Sequence, residues 1–439
     1  MSLNSTSATG FLKEVYLPGF VNQYENQKGT LLGLFYKDRA AMQIEGANAY
    51  LKIRVGDSLG QGTIAESGDY PTAGDVSSAQ ATITAAHLAH SISLTSEEAA
   101  YLDSGSAAAT PIISMKMDAA METMARDIER QSWGNGSGIL ANVASSSGAT
   151  ITLDATTTSQ VDRDRYIWVD DTNRRRYDVV HGTTGADQEV DFTISSIVES
   201  TNVLTCSNAD MTSATSAGVL VNAGDWASGG AIRSLEFTGL QGMIDDDNTY
   251  LGINRSTAAN SYWKAVVESH ATPGTLRDLT ENMVMGFLSK MARRRTDGKQ
   301  PRGSEYMALA NSGSWTAYHN LLLPAQRYST ESPELGWGNP LSFRGINLYE
   351  DIHCPRNGFM VIHKPSIKYV KAKHASNVSG DLLKFKELGG QMWFQGNAAS
   401  GAGHSAQVFA YLEGFLGMMT DRPRNHGWLR DITEVGSAY

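Results

Sequence analysis

The stretch FTGLQGMIDDDNTYLGINRSTAANSYWKA, Phe237 to Ala265, carries the clearest signal in the sequence. An apolar segment leads into three consecutive aspartates, Asp245 to Asp247, and TYLGINRS follows them. Adjacent carboxylates bind a metal ion, act as general acid and base, or turn the chain in contact with water. The rest of the chain decides which of these roles applies.

Length and composition limit the possible classes of protein. The chain has 439 residues, of which 41% are hydrophobic and 19% charged, and its net charge is −10. This length predicts about three domains, and the acidic balance argues against broad coating of nucleic acid. The start, MSLNSTSATGFLKEVY, lacks the apolar core of a secretory signal, and no stretch is long and apolar enough for a membrane span. We therefore expect a soluble protein kept inside a cell.

The aspartate run does not match a metal-binding loop. Asp245, Asp247 and Thr249 alternate like the ligands of an EF-hand, but Tyr250 stands where that loop needs glycine and no late glutamate follows. A solvated turn is therefore the better interpretation. The sequence also lacks a G-x-S-x-G nucleophile motif and a phosphate-binding glycine loop, so we expect neither enzyme activity nor a cofactor.

The remaining metal-ligating residue types are scattered. Cys206 and Cys354 form no C-x-x-C pair and predict two buried thiols. His87 and His90 lie on opposite faces of a predicted strand, with His90 on the apolar face, which argues against a shared metal. The basic run from Arg293 through Arg302 follows a predicted helix, where local pairing or a subunit contact is favoured over nucleic-acid binding.

The N-terminal hundred residues predict an elongated structure. An extended arm is followed by two runs of period two, ANAYLKIRV and ATITAAHLAHSISL, separated by a linker rich in glycine. They predict one long hairpin, with Leu88, Ile92 and Leu94 on one face of its second strand. Such a hairpin has little core of its own and needs a neighbour to lie on.

A long helix is predicted next, from Pro111 to Trp133, with Thr110 as N-cap. Its length would be about 34 Å. An apolar stripe is expected at Ile113, Met117, Ala120, Met124 and Ile128. GNGSG then ends the helix.

Between about Ser145 and Gly230 the sequence predicts short strands separated by turns. The runs are ATITLD, RYIWVD, RRYDVV, EVDFTIS, NVLTC and GVLVNAGD. This spacing predicts a small barrel or sandwich inserted into the main fold. The remainder predicts mixed helices and strands, including a helix with Thr275 as N-cap and Leu276, Leu279, Met283 and Phe287 as its stripe.

In this order of elements, the sequence resembles the major capsid proteins of tailed bacteriophages, which have the Hong Kong 97 type of fold. AESGDYP lies in the counterpart of their extended loop, PIISMKMDAAMETMARDIERQSWGNG resembles their spine helix, and FTGLQGMIDDDNTYLGINRSTAANSYWKA resembles their entry into the axial domain. LSFRGINLYEDIHCPRNGFMVIHKPSIKYV resembles the later axial strands, and DRPRNHGWLRDI the C-terminal end.

The resemblance implies an α+β fold with a defined domain order. The expected parts are an N-terminal arm (1–45), an extended-loop hairpin (46–100), a peripheral domain with the spine helix (101–144 and 369–404), an inserted small β-barrel domain (145–230), and an axial domain with C-terminal strands (231–368 and 405–439). Asp245 to Asp247 then lie in a connecting segment, as structural or subunit-contact residues.

The resemblance also implies self-assembly into pentamers and hexamers of an icosahedral head that encloses double-stranded DNA without sequence-specific binding. Expected inter-subunit contact residues are Lys52, Arg54, Glu66, Tyr70, Pro71, Asp245, Asp246 and Asp247. A separate scaffolding protein, a portal protein and a possible decoration protein are the other expected partners. The expected location is the virion, after assembly in the bacterial cytoplasm.

Two alternative hypotheses for the function remain open. One is an encapsulin-like cellular compartment, which shares the fold but differs in cargo. The other is a carbohydrate-active β protein that uses the adjacent aspartates.

Some members of the family that the sequence resembles crosslink a loop lysine to a neighbour's asparagine. Lys52 is the only lysine between Lys37 and Lys116 and lies in a predicted strand, so we expect no such crosslink here.

Overall fold

The computed structural model describes about two thirds of the chain in separate ranges. These are residues 42–44, 48–56, 60–66, 68–72, 74–95, 109–153, 177–181, 187–198, 203–207, 211, 218–222, 226–227, 233–272, 274–295, 299–326, 341–351, 354–372, 384–385, 394–397 and 404–435. The predicted arm lies outside them except for Met42–Ile44, and so does the predicted strand RYIWVD.

A six-stranded sheet, here called the long-strand sheet, is built around one strand of 17 residues. Its strands are β1 (Met42–Ile44), β4 (Ala86–Thr95), β21 (Ile367–Ala372), β22 (Lys384–Phe385), β23 (Phe394–Asn397) and β24 (His404–Thr420). Strand β1 runs parallel to β21, and the other strands pair antiparallel with β24.

The predicted long helix is present as α1 (Ala109–Trp133) and lies on the long-strand sheet. The predicted stripe residues Met117, Ala120, Met124 and Ile128 are buried in the same apolar cluster as Leu412 of β24. The apolar packing therefore makes helix and sheet one unit. An ionic contact also ties α1 to the segment before the 237–265 stretch, because Arg130 Nη2 donates to Glu236 Oε1 at 2.5 Å, with both side chains buried.

A seven-stranded antiparallel sheet, the insert sheet, follows α1 in the chain. Its strands are β5 (Ile139–Ser147), β6 (Thr150–Leu153), β7 (Tyr177–His181), β8 (Asp187–Phe192), β9 (Ile194–Val198), β10 (Val203–Cys206) and β11 (Gly218–Asn222), in the spatial order β8-β7-β11-β5-β6-β10-β9. The edge strands β8 and β9 are separated in sequence by Thr193 alone. The sheet must therefore curl until its two edges meet, which is the geometry of the predicted small barrel.

A third sheet, the mixed sheet, combines parallel and antiparallel pairs. Its strands are β16 (Val266–Glu268), β17 (Tyr306–Ala310), β18 (Leu341–Phe343), β19 (Ile346–Glu350), β20 (Phe359–His363) and β25 (Gly427–Leu429), in the spatial order β16-β25-β20-β17-β19-β18. Two helices, α3 (Glu281–Arg294) and α4 (Ser312–Gln326), pack on it.

The central strands of the mixed sheet are buried on both faces. Tyr306 and Ala308 pack against the helices α3 and α4, whereas Met307 and Leu309 point into the large core shared with α1. Successive side chains of a strand point to opposite faces, so β17 reads as an unbroken apolar run, YMALA, rather than as an alternation.

The predicted long hairpin is two separate structures. Strand β2 (Asn48–Arg54) pairs with β3 (Ser78–Thr84) in a two-stranded sheet. The strand conformation is interrupted at Ala85, and β4 beyond it pairs with β24 instead. The buried positions change phase at this point, from Ala81 and Ile83 to Leu88 and Ile92, but the change does not identify the new partner. The second half of the predicted 46–100 hairpin thus belongs to the long-strand sheet.

Helix α3 begins later than predicted. Its N-cap is Thr280, whose Oγ1 accepts from Met283 N at 3.3 Å, and not Thr275. The intervening residues are held extended by a distant segment, since Arg277 N donates to Asp431 O at 2.9 Å and Thr433 N donates to Arg277 O at 2.9 Å. This long-range pairing overrides the local helical preference.

Two predicted domain boundaries differ from the sheets. The insert sheet begins at Ile139, before the predicted start at residue 145. Residues 405–420, predicted to be axial, lie in the long-strand sheet, and Gly427–Leu429 join the mixed sheet. The chain crosses between these two sheets through two short 3₁₀ turns, Lys364–Ser366 and Pro423–Asn425.

Candidate interaction surface

The aspartate run does not gather carboxylates around a common point. Half-buried Asp245 accepts through Oδ1 from Arg430 Nη2 at 3.3 Å and from the N–H of Asp246 at 2.8 Å. Asp246 is also half-buried, and burial, reinforced by the neighbouring Asp245 charge, raises the pKa of its carboxyl. Asp247 is exposed. The run is therefore a turn tied to the C-terminal segment through Arg430.

Arg255, which the sequence analysis did not single out, organises this turn from inside. Its side chain is fully buried, and burial lowers the pKa of the guanidinium. Nη1 donates to Met243 O at 2.8 Å, Nη2 to Gly242 O, and Nε to Asn248 Oδ1 at 3.0 Å. The rigid fork of an arginine thus satisfies the carbonyl groups at the end of the short helix α2 (Leu240–Met243).

The start of α2 lies against the end of α1. A Cβ at Gly239 would come within 2.2 Å of Gln131 O, so only glycine allows this close approach. The stretch from Phe237 onward is therefore placed by backbone contact with α1, and Arg255 then fixes the path of the turn.

A two-residue hairpin turn follows the aspartates. Strands β14 (Thr249–Tyr250) and β15 (Ile253–Asn254) are joined by Leu251 and Gly252, whose φ angles are +50° and +81°. Both central φ angles are positive, as in a type I′ turn, and such values are uncommon for leucine. Leu251 is held there because its carbonyl oxygen accepts from Thr82 N in β3 at 2.9 Å and its side chain packs beside Ile83.

Tyr250 links the same turn to the end of β24. The ring is fully buried, and its hydroxyl oxygen accepts from Thr420 N at 2.8 Å. Trp263 Nε1 donates to Tyr250 O at 3.2 Å, and the two rings stack with centroids 6.0 Å apart. Burial raises the pKa of the Tyr250 hydroxyl, which stays neutral. The stretch that opened the sequence analysis therefore joins α1, the hairpin and the long-strand sheet.

The hairpin β2–β3 carries the predicted contact residues away from this junction. Alternate residues of β2, including Leu51 and Ile53, face the core, whereas Lys52 and Arg54 are exposed on the other face. Beyond the strands, Val55 N donates to Ser77 O at 2.9 Å and extends the ladder toward the tip.

The tip itself, residues 60–66 and 68–77 as far as they are described, has no regular structure. Its two sides approach each other, since a Cβ at Gly62 would lie 3.0 Å from Pro71 Cγ. Glu66 is exposed, Tyr70 is 88% exposed, and Pro71 is half-buried. Five predicted contact residues (Lys52, Arg54, Glu66, Tyr70 and Pro71) therefore lie on one hairpin and its tip, and Asp245 to Asp247 lie on the turn near its base.

A second polar cluster lies where the chain crosses between the long-strand and mixed sheets. His426 is fully buried; its Nδ1 accepts from His363 N at 3.2 Å, and its Nε2 lies 2.9 Å from Thr420 Oγ1 and 3.0 Å from Ser366 Oγ. Because Nδ1 is an acceptor, neutral His426 carries its proton on Nε2 and donates to the hydroxyls. It cannot take a proton from Ser366, so the pair is a structural clamp rather than an activated nucleophile.

Two cysteines and a pair of histidines are the other residues that the sequence analysis considered as metal ligands. Among the described residues no three His, Cys, Asp or Glu side chains are grouped as metal ligands. Cys206 and Cys354 are buried as predicted. His87 is exposed and stacks on Phe415, whereas His90 is half-buried and burial lowers its pKa. No helix in the described ranges is both long and apolar enough to cross a bilayer.

No protein-family model and no curated protein matches the chain. Among solved structures, the capsid asymmetric unit of cyanophage A-1(L) aligns over 92% of both chains, with 14% identity and a TM-score of 0.51. Weaker similarity is found to the capsid of an empty GTA particle (10% identity, 90% of this chain and 96% of that one, TM-score 0.42). The procapsid of satellite phage P4 with its size determination protein is also similar (8% identity, 95% and 90%, TM-score 0.40). The chain therefore has the α+β fold of phage capsid proteins, the Hong Kong 97-like fold that its sequence predicts.

Proposed function

We propose that this chain is the major capsid protein of a tailed phage, and that it assembles into the pentamers and hexamers of an icosahedral head around double-stranded DNA. The observation that carries the proposal is the match to a cyanophage capsid structure over 92% of both chains. The role is structural, and its location is the virion.

The projecting hairpin supports this role. Strands β2 and β3 pair only with each other within the described chain, and their tip exposes several large apolar side chains. The strands themselves lie on the core of their own chain through residues such as Leu51 and Ile83, so the exposed tip is the part that lacks a neighbour. A head-to-tail contact between copies would cover the tip, and it closes into rings when its rotation permits.

The candidate chemical sites favour structure over catalysis. Asp245 is paired with Arg430, and the Ser366–His426 pair has the proton on the wrong nitrogen for a nucleophile. These contacts argue against the hypothesis of a carbohydrate-active enzyme, because such an enzyme needs two carboxyl groups that face each other across a sugar. A scaffolding protein, a portal protein and a decoration protein are the partners that we propose besides the chain itself.

Expression of the chain alone and together with its neighbouring genes tests the proposal. Negative-stain electron microscopy and size-exclusion chromatography are expected to show closed shells, rings or tubes far above the 47.4 kDa monomer. A monodisperse monomer or dimer under both conditions would contradict it. Copurification of a host enzyme inside the shells, instead of packaging genes beside the capsid gene, would favour a cellular compartment.

A further inference from the structure

Exposed basic residues are concentrated at one end of the mixed sheet, although the whole chain has a net charge of −10. They lie in the last turn of α3, in the segment that leads to β17, and in the turn between β18 and β19. We call these exposed residues the basic patch: Arg293, Arg294, Lys299, Arg302 and Arg344. The acidic residues in the same segments are Asp297 and Glu305. The basic residues outnumber them, so this surface is locally positive.

Side-chain contacts bring the separate segments of the basic patch together. Arg344 Nη1 donates to Oε1 of Gln300, which lies two residues before Arg302. The end of α3 is tied to the start of β17, because Arg295 Nη1 donates to the hydroxyl oxygen of Tyr306 at 2.5 Å. Since β17 and β19 are parallel neighbours, the segments that precede them meet at the same end of the sheet.

The charge of the basic patch is not neutralised locally. The side chains of Arg293 and Arg302 make no hydrogen bond or ion pair with any residue that the structure describes. Local pairing, which the sequence analysis considered for this run, therefore does not occur at these two positions. Exposed Glu305 approaches His363 instead, with Oε2 4.0 Å from Nε2. The patch is thus able to attract an anionic partner.

The composition of the basic patch distinguishes between classes of partner. None of the large hydrophobic side chains that are exposed in the described residues belongs to 293–305 or 341–347. Protein–protein contacts depend on apolar and aromatic anchors at their centre, whereas protein–DNA contacts are polar and strongly positive. Arginine also predominates over lysine in the patch, and its planar guanidinium group matches the oxygens of a phosphate. These features favour a phosphate-bearing polymer over an acidic protein.

We propose that the basic patch binds the phosphate backbone of double-stranded DNA, independently of base sequence. The proposal rests on the proposed capsid function, in which the shell encloses DNA, and it names the surface of the chain that meets that DNA. A small patch on an acidic chain gives a weak, salt-dependent contact that recurs in every copy. It does not require the broad coating of nucleic acid that the net charge argues against.

Binding of a short fluorescent DNA duplex to the full-length, unassembled chain tests the proposal. Fluorescence anisotropy is measured over a range of salt concentrations, with two duplexes of unrelated sequence. The patch variant carries Arg302→Gln with Arg344→Gln. The matched single changes are Arg302→Gln and Arg126→Gln, which removes an exposed arginine of α1. Thermal unfolding monitored by circular dichroism establishes that each variant folds.

The wild-type chain is expected to bind both duplexes equally, with a Kd of about 1–100 μM at physiological salt. Each patch arginine that is replaced should reduce the steepness of log K against log salt concentration by about 1, so the patch variant should lose about 2. Its affinity at low salt should fall by about tenfold or more, equally for both sequences. Arg126→Gln should stay within about twofold of wild type, because it removes no phosphate contact.

Three results would overturn the proposal. They are a wild-type chain that does not bind DNA at low salt, a patch variant that binds DNA as wild type does, and equal losses from Arg302→Gln and Arg126→Gln. If the patch variant kept its DNA binding but no longer bound an acidic product of a neighbouring gene, the partner would be a protein and the proposal would also fail.

The proposed function is tested separately, by assembly. Wild-type shells together with DNA binding that does not depend on the patch would leave the capsid function standing and overturn the patch proposal alone. A chain that never forms shells, but binds DNA through the patch, would overturn the capsid function and retain the binding surface.

Discussion

The N–H of Thr82 donates to the carbonyl oxygen of Leu251 at 2.9 Å, which joins the base of the hairpin to the turn after the aspartate run. Leu251 holds a positive φ of +50° in order to present that carbonyl, and its neighbour Gly252 has φ +81°. Positions of this kind tolerate few residues besides glycine.

Gly252→Ala is expected to lower the free energy of unfolding by about 1 kcal/mol or more, since alanine is strained at a positive φ. Gly286→Ala, in the middle of α3 with open space around the new methyl group, should instead raise it by about 0.5–1 kcal/mol. Urea denaturation of the unassembled subunit measures both changes. The same sign for the two variants would show that the turn is not constrained as described.

Tyr250→Phe is expected to lower the free energy of unfolding by about 1–3 kcal/mol, because the buried N–H of Thr420 loses its acceptor. Tyr262→Phe is the matched control, since Tyr262 is only partly buried against the same core. Chemical denaturation should separate the two. A near-neutral Tyr250→Phe would mean that Thr420 finds another partner at the sheet junction.

Acidification should destabilise the subunit through His426. Burial, and then the neighbouring His363, lowers the pKa of His426 from 6.5 to about 3. Between pH 6.5 and 3 the unfolded state therefore binds a proton that the native state does not bind. The contribution of neutral His426 to the free energy of unfolding is fully present above pH 6.5, and it falls by up to about 1.4 kcal/mol per pH unit as the pH drops toward 3.

His426→Gln keeps a hydrogen-bond acceptor and a donor but has no titrating group. It should reduce the pH dependence of the free energy of unfolding by about 1.4 kcal/mol per pH unit, the slope that one proton contributes. The measurement is the free energy of unfolding between about pH 4.5 and 7.5 for both proteins. Asp246 acts in the opposite sense, because its raised pKa favours the protonated native state at acid pH, and it is common to both proteins. Equal slopes would show that His426 does not titrate on unfolding.

A small apolar cavity of about 30 Å³ lies between the mixed sheet and the helices α3 and α4, lined by residues that include Val284, Ala308 and Val361. Val361→Ile adds one methylene to this space and should stabilise the subunit by about 0.8 kcal/mol. Val284→Ala enlarges the cavity and should destabilise by about 2 kcal/mol. Thermal or urea unfolding tests the pair, and a destabilising Val361→Ile would show that the cavity cannot accept the new group.

Mature particles are expected to contain no covalent crosslink through Lys52. This lysine lies in β2, opposite Gln80 in the ladder and not in the tip. On a denaturing gel, an intact shell should therefore run entirely as monomer. A ladder of covalent oligomers that Lys52→Arg abolishes would refute this expectation.

Local pattern was enough to predict several elements. The 3–4 spacing of Met117, Ala120, Met124 and Ile128 identified α1 because a helix with one apolar stripe must bury it. The alternation in ANAYLKIRV likewise identified β2. In each case the periodicity is a property of the segment alone, whatever its partner in the fold.

The pattern of one segment does not identify its pairing partner. The buried positions shift from odd numbers in β3 to even numbers in β4, which marks an interruption near Ala85 but does not show that the first strand pairs with β2 and the second with β24. Thr275 was a sound N-cap locally, but pairing of Arg277 with the 431–433 segment keeps those residues extended. Arg255 gave no sequence signal, since an isolated arginine is usually solvated and only the fold encloses it.

The sequence by itself determined the α+β character, the long helix, the inserted β domain and the absence of any recognisable catalytic motif, because these depend on spacing and residue type over short stretches. Only the tertiary structure decided what the 237–265 stretch does. The stretch is held by the close approach of Gly239 to α1, by the hydrogen bonds of buried Arg255 and by the bond from Thr82 N–H to Leu251 O. Such pairings are set by the free energy of the whole core rather than by any local preference.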